Sequence, residues 1–308
     1  MRKLNNDVYY DELIALISGN MNISTQYVIF TTSEDEYYGI NVAKVEELIR
    51  NKNIDIIKST DGDMLTLGVA KIRENMSVFL NFDDWIGVEV EEECLDLVIL
   101  CKYSSSRIGL VVKNVIGIQQ VEMDALFNGT QRDTKITYAV EITVNGEKKM
   151  CNIFDFDKLT TDIYPNILKM NETLVEEMQV ETKAFTHKTI LVAEDSILIQ
   201  EQMKALLHKI NIEFLFFENG QKLLDKLVGI DVSEISLIIT DIEMPVLDGI
   251  ELIKKLKADE NLSTIPLIAH TNMSNSAIAE NINKLGVLDI VNKLDLNLLK
   301  IAIEKFAR

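Results

Sequence analysis

The sequence is short of positive charge. Its 308 residues carry 31 Lys and Arg against 49 Asp and Glu, a formal net charge of −18, the reverse of what a general nucleic-acid binder needs. Cysteine is scarce. Cys94, Cys101 and Cys151 are odd in number and lack C-x-x-C spacing, which argues against a disulfide framework or a zinc site and fits a reducing cytoplasm. No uncharged run approaches the roughly 20 residues that span a bilayer. The start of the chain, MRKLNNDVYYDELIALISGN, is broken by Asp11 and Glu12 before any apolar stretch long enough for a signal peptide. Direct membrane insertion is not expected, so membrane association would come through a partner. Internal repeats and low-complexity tracts are missing as well. His187, His208 and His270 are scattered, and none resembles the phosphorylatable histidine of a kinase helix.

What is present is enough apolar residue for a substantial core, 47% of the chain with a mean hydropathy of +0.09, at a length that suggests two domains. The chain has two rhythms. From Gln26 to about Phe156, short β-branched and aromatic runs such as QYVIFTT, EYYGINV, MSVFLNF, CLDLVILCKY and KITYAVEITV are separated by polar or glycine-containing turns. This spacing predicts a closed or nearly closed β architecture, with Asn145-Gly146 as a tight hairpin turn. From Lys188 onward, apolar strands alternate with helical patterns: TILVAE, EFLFF, SLIIT, PLIAH and LDIVN are each followed by an amphipathic run. Five such pairs predict a parallel sheet covered on both faces, with its functional site at the carboxyl ends of the strands. Between the two, residues 165–187 read as a helix and linker, and residues 1–25 as an extension with a short helix.

At the predicted strand ends stand Glu194 and Asp195, then Asp241, Thr271 and Lys293. Carboxylates brought together repel, by on the order of 4 kcal/mol for two charges about 4 Å apart at an effective dielectric near 20. A hard, oxygen-preferring ion such as Mg²⁺ would compensate, with Lys293 as the second cation. Transfer of a phosphoryl group onto a carboxylate uses such a set. In that scheme Asp241 is the nucleophile, Glu194 and Asp195 hold the metal, and Lys293 and the Thr271 hydroxyl stabilise phosphoryl oxygens.

The string LIITDIEMPVLDG, residues Leu237 to Gly249, resembles the phosphoacceptor motif of two-component response-regulator receivers, and ILVAEDS and PLIAHT resemble that family's acidic-pair and hydroxyl-switch motifs. The resemblance covers the whole of residues 188–308. It implies that the backbone carbonyl of Glu243 is a further metal ligand and that Met244-Pro245 and Asp248-Gly249 shape the loop after the acceptor. Two positions depart from the pattern: Leu294 follows Lys293 in place of the common proline, and Ile290 stands where many receivers carry an aromatic switch residue.

Upstream, VIFTTSEDEYYGINVAKVEELIR, GVAKIRENMSVFLNF, RIGLVVKNVIGI and CNIFDFDKL resemble, in order, segments of CheW-type chemotaxis coupling domains. The first of them is read as two strands and a short amphipathic segment. Arg73 takes the place of that family's arginine, with Glu74 where a glycine usually follows. The resemblance implies an all-β domain over residues 26–164, made of two small β-barrel subdomains. It also implies binding to chemoreceptor tips and to the histidine kinase CheA, with CheW itself a further candidate partner. Arg73, Val45 and Glu47 are the candidate partner-binding residues. A charged loop accounts for the first and last, and a core valine for the other, equally well.

A CheW-like domain followed by a doubly wound α/β receiver resembles the architecture of CheV-type proteins. The expectation is a cytoplasmic adaptor, recruited to receptor arrays, that couples chemoreceptors to CheA and is regulated by Mg²⁺-dependent phosphorylation of Asp241, as an adaptation element or phosphate sink. It is a phosphoacceptor rather than a turnover enzyme. The alternative is an aspartate-nucleophile phosphatase, which typically carries a second Asp two residues after the nucleophile; that position is Glu243 here, and no cap insertion is evident. A transcriptional regulator is disfavoured, because the chain ends at Arg308 directly after the fifth predicted helix and the charge is unfavourable.

Overall fold

The computed structural model describes residues 26–58, 65–88, 95–103, 106–121, 126–128, 135–179, 187–272 and 276–307. The N-terminal extension expected over residues 1–25 lies outside them, as does Cys94. Two compact units emerge, residues 1–159 and residues 160–308.

The first unit is built from β1 (Gln26–Thr31), β2 (Tyr37–Asn41), β3 (Val45–Arg50), β4 (Ile57–Lys58), β5 (Thr66–Ile72), β6 (Asn75–Asn81), a short helix α1 (Phe82–Ile86), β7 (Leu97–Tyr103), β8 (Ser106–Val112), β9 (Asn114–Gln120), β10 (Leu126–Asn128), β11 (Ile136–Val144) and β12 (Glu147–Phe154). These form two six-stranded sheets, β10-β11-β12-β2-β1-β9 and β3-β7-β8-β6-β5-β4. Each sheet is antiparallel apart from one parallel pair, β12 with β2 and β6 with β8. The hairpin at Asn145-Gly146 closes as the sequence predicts, with positive φ at both residues and Val144 facing Glu147.

Aromatic side chains pack α1 against the sheet that contains β1 and β12. Phe82 of α1 meets Phe30 of β1 edge-on at 4.8 Å between ring centres and Phe154 of β12 at 4.9 Å, with Trp85 packed on both Phe82 and Phe154. Trp85 is therefore a core residue, 2% exposed.

The segment VEELIR is a strand, where the sequence reads as a short amphipathic segment. Its apolar residues fall at a spacing that suits either element. Pairing with β7, from Val45 opposite Cys101 to Arg50 opposite Leu97, decides for the strand.

A helix α2 (Phe156–Ile163) follows, then α3 (Pro165–Glu177), and then the alternation of the second unit: β13 (Thr189–Ala193), α4 (Ile197–Lys209), β14 (Phe214–Phe217), α5 (Gly220–Leu227), β15 (Ile235–Thr240), α6 (Gly249–Ala258), β16 (Leu267–His270), α7 (Ser276–Lys284), β17 (Ile290–Val291) and α8 (Leu296–Phe306). The five strands are all parallel in the order β14-β13-β15-β16-β17. Strand alternation sends Ile190, Val192, Leu237 and Ile239 to the face covered by α4 and α8, and Leu191, Ala193 and Ile238 to the face covered by α5 and α6. Every residue of the central β15 is buried, so Ile238→Ala would cost roughly 2–5 kcal/mol.

Helix starts are chemically marked. Asn219, Asp248 and Asp295 each accept from a backbone N–H three residues on, at 2.9 Å, and Ser196 does the same for Ile199. Each cap except Asn219 lies in or just before the loops that carry the strand-end polar residues, so the caps fix the geometry there.

Candidate functional site

The five strand-end residues converge because each follows a parallel strand by one or two positions. Glu194 and Asp195 leave β13, Asp241 leaves β15, Thr271 leaves β16 and Lys293 stands two residues beyond β17. Glu194, Asp241, Thr271 and Lys293 are buried, and Asp195 is partly exposed. One carboxylate oxygen from each of Glu194, Asp195 and Asp241 can lie within 4.8 Å of the others. Lys293 bridges two of them, its Nζ 2.8 Å from Glu194 Oε1 and 2.9 Å from Asp241 Oδ2.

The chain also fixes these carboxylates locally. Ser196 N–H donates to Glu194 Oε1 at 3.1 Å, so the residue that caps α4 also orients the glutamate. The Gln200 side-chain amide donates to the Glu194 backbone carbonyl at 2.7 Å. The Ile242 N–H donates to Asp241 Oδ1 at 2.6 Å, and the Asp241 N–H donates to the Ala193 carbonyl at 2.8 Å. One Asp241 oxygen is therefore held by backbone and the other faces an ammonium. The Thr271 N–H is anchored on the Val291 carbonyl at 2.9 Å, which locks the loops after β16 and β17 together.

Gly249, the first residue of α6, is dictated by the acceptor loop. A Cβ there would stand 2.0 Å from the Asp241 carbonyl oxygen and 2.8 Å from the Ile242 Cα, closer than any real carbon approaches. The Gly249 N–H donates to the Ile242 carbonyl at 3.0 Å. The Met244-Pro245 turn leads into Val246, whose φ of 66° is uncommon for a β-branched residue. Glu243, in the same loop, is partly buried.

Three clustered carboxylates are a hard, all-oxygen donor set of high negative charge, which suits a small divalent cation that keeps sites open for water or phosphate oxygens. The residues present fit Mg²⁺. The donor chemistry, the adjacent ammonium and the hydroxyl of Thr271 together suit an incoming phosphoryl group.

One residue here escaped the sequence reading. His270, 1% exposed, places Nδ1 3.9 Å from Glu194 Oε2. It was legible as the end of the fourth strand, and only the sheet register turns it toward the glutamate.

The candidate partner residues belong to the first unit. Arg73 and Glu47 meet, Nη2 to Oε1 at 3.1 Å, with the arginine side chain 73% exposed. Val45 is buried and lies opposite Cys101 on β7. Arg73 and Glu74 form the two-residue connection between β5 and β6, and Arg73 adopts a positive φ of 55°. The turn thus closes without a glycine at position 74.

Cys101 and Cys151 are buried free thiols, and burial pushes both well above the ordinary cysteine range. Among the described residues no helix is long and apolar enough to cross a membrane.

Two family descriptions match the chain: a CheW-like domain over residues 26–163 and a response regulator receiver domain over residues 190–304. The chain is 27% identical to the chemotaxis protein CheV1 of Helicobacter pylori over 280 residues, 84% of this chain and 85% of that protein. It is 24% identical to CheV2 of the same organism over 299 residues, 90% of this chain and 94% of that protein. Among solved structures, the scaffolding protein TtCheW of Thermoanaerobacter tengcongensis matches at 17% identity over 43% of this chain and 90% of its own, with a TM-score of 0.37. The receiver domain of a Pseudomonas aeruginosa sensor histidine kinase, with magnesium coordinated in its active-site cleft, matches at 23% identity over 40% of this chain and 98% of its own, with a TM-score of 0.36.

Proposed function

The chain belongs to the CheV type of chemotaxis protein, a CheW-like domain joined to a response-regulator receiver domain, and we propose that it is a coupling adaptor tuned by phosphorylation of Asp241. The CheW-like domain joins chemoreceptor tips to the histidine kinase CheA, with CheW a further partner, at receptor arrays on the cytoplasmic side of the membrane. The receiver takes a phosphoryl group from the kinase and alters that coupling, as an adaptation element or a phosphate sink.

The observation that carries this reading is Lys293 bridging Glu194 and Asp241 at the carboxyl edge of the sheet. Asp241 attacks phosphorus, the bond from phosphorus to the donor's imidazole nitrogen breaks with its electron pair staying on the imidazole, and an acyl phosphate forms. The Ile242 N–H keeps the carboxylate oriented during attack. Lys293 is placed to pass from the carboxylate to a phosphoryl oxygen, and the Thr271 hydroxyl to donate to another. A magnesium ion held by Glu194, Asp195, Asp241 and the Glu243 carbonyl would neutralise the carboxylates and the transferred oxygens. The remaining work is positioning, which the buried strands supply.

The test is phosphoryl transfer from phosphorylated CheA to the full chain and to its Asp241→Asn variant, followed by reconstitution of receptor, kinase and each form. Transfer to the parent alone, with a change in kinase coupling, is expected. Equal transfer to both forms would remove Asp241 from the mechanism.

A further inference from the structure

Helix α3 lies outside both matched spans, after residue 163 and before residue 190. It packs on α4 and α8 of the receiver. Its apolar contacts are few: Val175 enters the core of that face, with Leu174 and Met178 partly buried against it, while Met170 is 72% exposed. A cavity of about 160 Å³ remains at the seat, lined by Asn171, Val175, Gln202, Ala205 and Leu296 among others.

The helix is poorly supported on its own. Glu176 and Glu177 close it, with no basic residue in the last turn, against the sign its dipole favours. Just past its end, the Lys209 ammonium lies 3.2 Å from the Met178 carbonyl oxygen.

At its centre stands Asn171, 7% exposed. Asparagine is a weak helix former because its amide competes for local backbone, so a buried one in mid-helix calls for a partner, and Asn171 has two. Its Nδ2 donates to Gln202 Oε1 of α4 at 2.8 Å and to the Leu294 carbonyl at 3.3 Å. Both partners reach the acidic rim. Helix α4 starts from the Ser196 cap that orients Glu194, and Leu294 directly follows Lys293. The Leu294 N–H is engaged too, donating to Asn292 Oδ1 at 2.9 Å. The proline common at that position in receivers could not make this bond. With leucine there, the residue after Lys293 is held by hydrogen bonds on both its N–H and its carbonyl.

We propose that Asn171 is a positioning residue for the Lys293 loop, and that through it α3 senses the state of Asp241 and carries that state to the upstream chain, to which α3 is joined by Tyr164 alone after α2. This rests on the phosphoacceptor reading. When Lys293 turns from the carboxylates to a phosphoryl group, the Leu294 carbonyl shifts, its bond to Asn171 loosens, and the lightly packed α3 opens more often.

The experiment uses the full chain with Mg²⁺ and acetyl phosphate, intact mass to count phosphoryl groups, and amide hydrogen exchange over residues 165–177. Phosphorylation should speed exchange in α3 about tenfold, with no such response in Asp241→Asn. Asn171→Leu raises helix propensity and keeps the apolar seat but lacks both donors. It should abolish the exchange response and change the acyl-phosphate lifetime severalfold, a kinetic signature that looser packing alone does not give. A phosphorylated parent whose α3 exchanges at the unphosphorylated rate would overturn the proposal, as would an Asn171→Leu form with the parent's response and lifetime. If Asn171→Leu does not fold, the parent comparison decides. No phosphoryl uptake by the parent removes the phosphoacceptor reading and this inference with it, whereas uptake without an α3 response removes only the inference.

Discussion

Replacing Lys293 with methionine isolates the electrostatics of the rim. The ammonium lies within 3 Å of both Glu194 and Asp241 and is itself buried. Without it, Glu194, Asp195 and Asp241 face one another with ligand oxygens within 4.8 Å, where each pair of charges repels by about 3.5 kcal/mol at an effective dielectric near 20. Removing one partner of a buried ion pair typically costs about 3–5 kcal/mol. Metal-free Lys293→Met should therefore lose that much stability in the receiver, and Mg²⁺ should bind it at least tenfold more tightly, because the ion no longer shares the carboxylates with an ammonium. Urea unfolding of the full chain resolves this. The single tryptophan, Trp85, reports the first unit, while far-UV circular dichroism is dominated by the helices of the second. The helical transition should move to lower urea without Mg²⁺, and Mg²⁺ should restore more stability to the variant than to the parent. An unchanged helical midpoint, or equal Mg²⁺ stabilisation of both forms, would refute the account of Lys293 as the charge that holds the rim together.

Three further outcomes follow from single contacts. Gly249→Ala forces a carbon to within 2.0 Å of the Asp241 carbonyl oxygen, so the acceptor loop must move. About 1–3 kcal/mol of stability should be lost and phosphoryl uptake slowed, while a variant with parental urea midpoint and uptake rate would contradict the glycine's role. Cys101 and Cys151 are buried with raised thiol pKa values, so peptide mapping after iodoacetamide should find neither labelled until the chain is unfolded; native labelling of either would mean the sheets open readily. Arg73→Ala removes an exposed ion pair with Glu47 and should change stability by under about 0.5 kcal/mol. Weakened receptor or kinase binding by that variant would therefore report contact with a partner, and unchanged binding would take Arg73 out of the interface.

The second unit was largely legible in the sequence because local preference and packing agree there. TILVA, SLIIT and PLIAH are buried on both faces as continuous apolar runs, the starts of α4, α5, α6 and α8 are announced by Ser196, Asn219, Asp248 and Asp295, and the polar residue after each run has only one place to go. The first unit is less so. VEELIR reads equally as helix or strand until β7 is beside it, and β4 keeps only two residues of the run NIDIIKS. Nothing about Arg73 announces a positive φ, since arginine has no left-handed preference, and the turn is imposed by the strands on either side. His270 beside Glu194, and Asn171 against Leu294, are products of register and docking, which the order of residues along the chain does not encode.

The seat of α3 also constrains how the two halves can influence each other. Coupling between two states of one molecule is reciprocal: if phosphate on Asp241 loosens α3 by some factor, an event that loosens α3 must strengthen the hold on phosphate by the same factor. Helix α3 is tied to the receiver by Gln202 and Leu294, and it follows the CheW-like half along the chain through α2 and Tyr164. A partner that strains that short connection acts on Asn171 first and on the Lys293 loop second. On the proposed route, the same two hydrogen bonds that carry the acceptor's state out of the receiver would let binding at the CheW-like domain set the acceptor's hold on phosphate. An adaptor wired this way would register its own engagement with a partner, by a route that does not require an aromatic switch at Ile290.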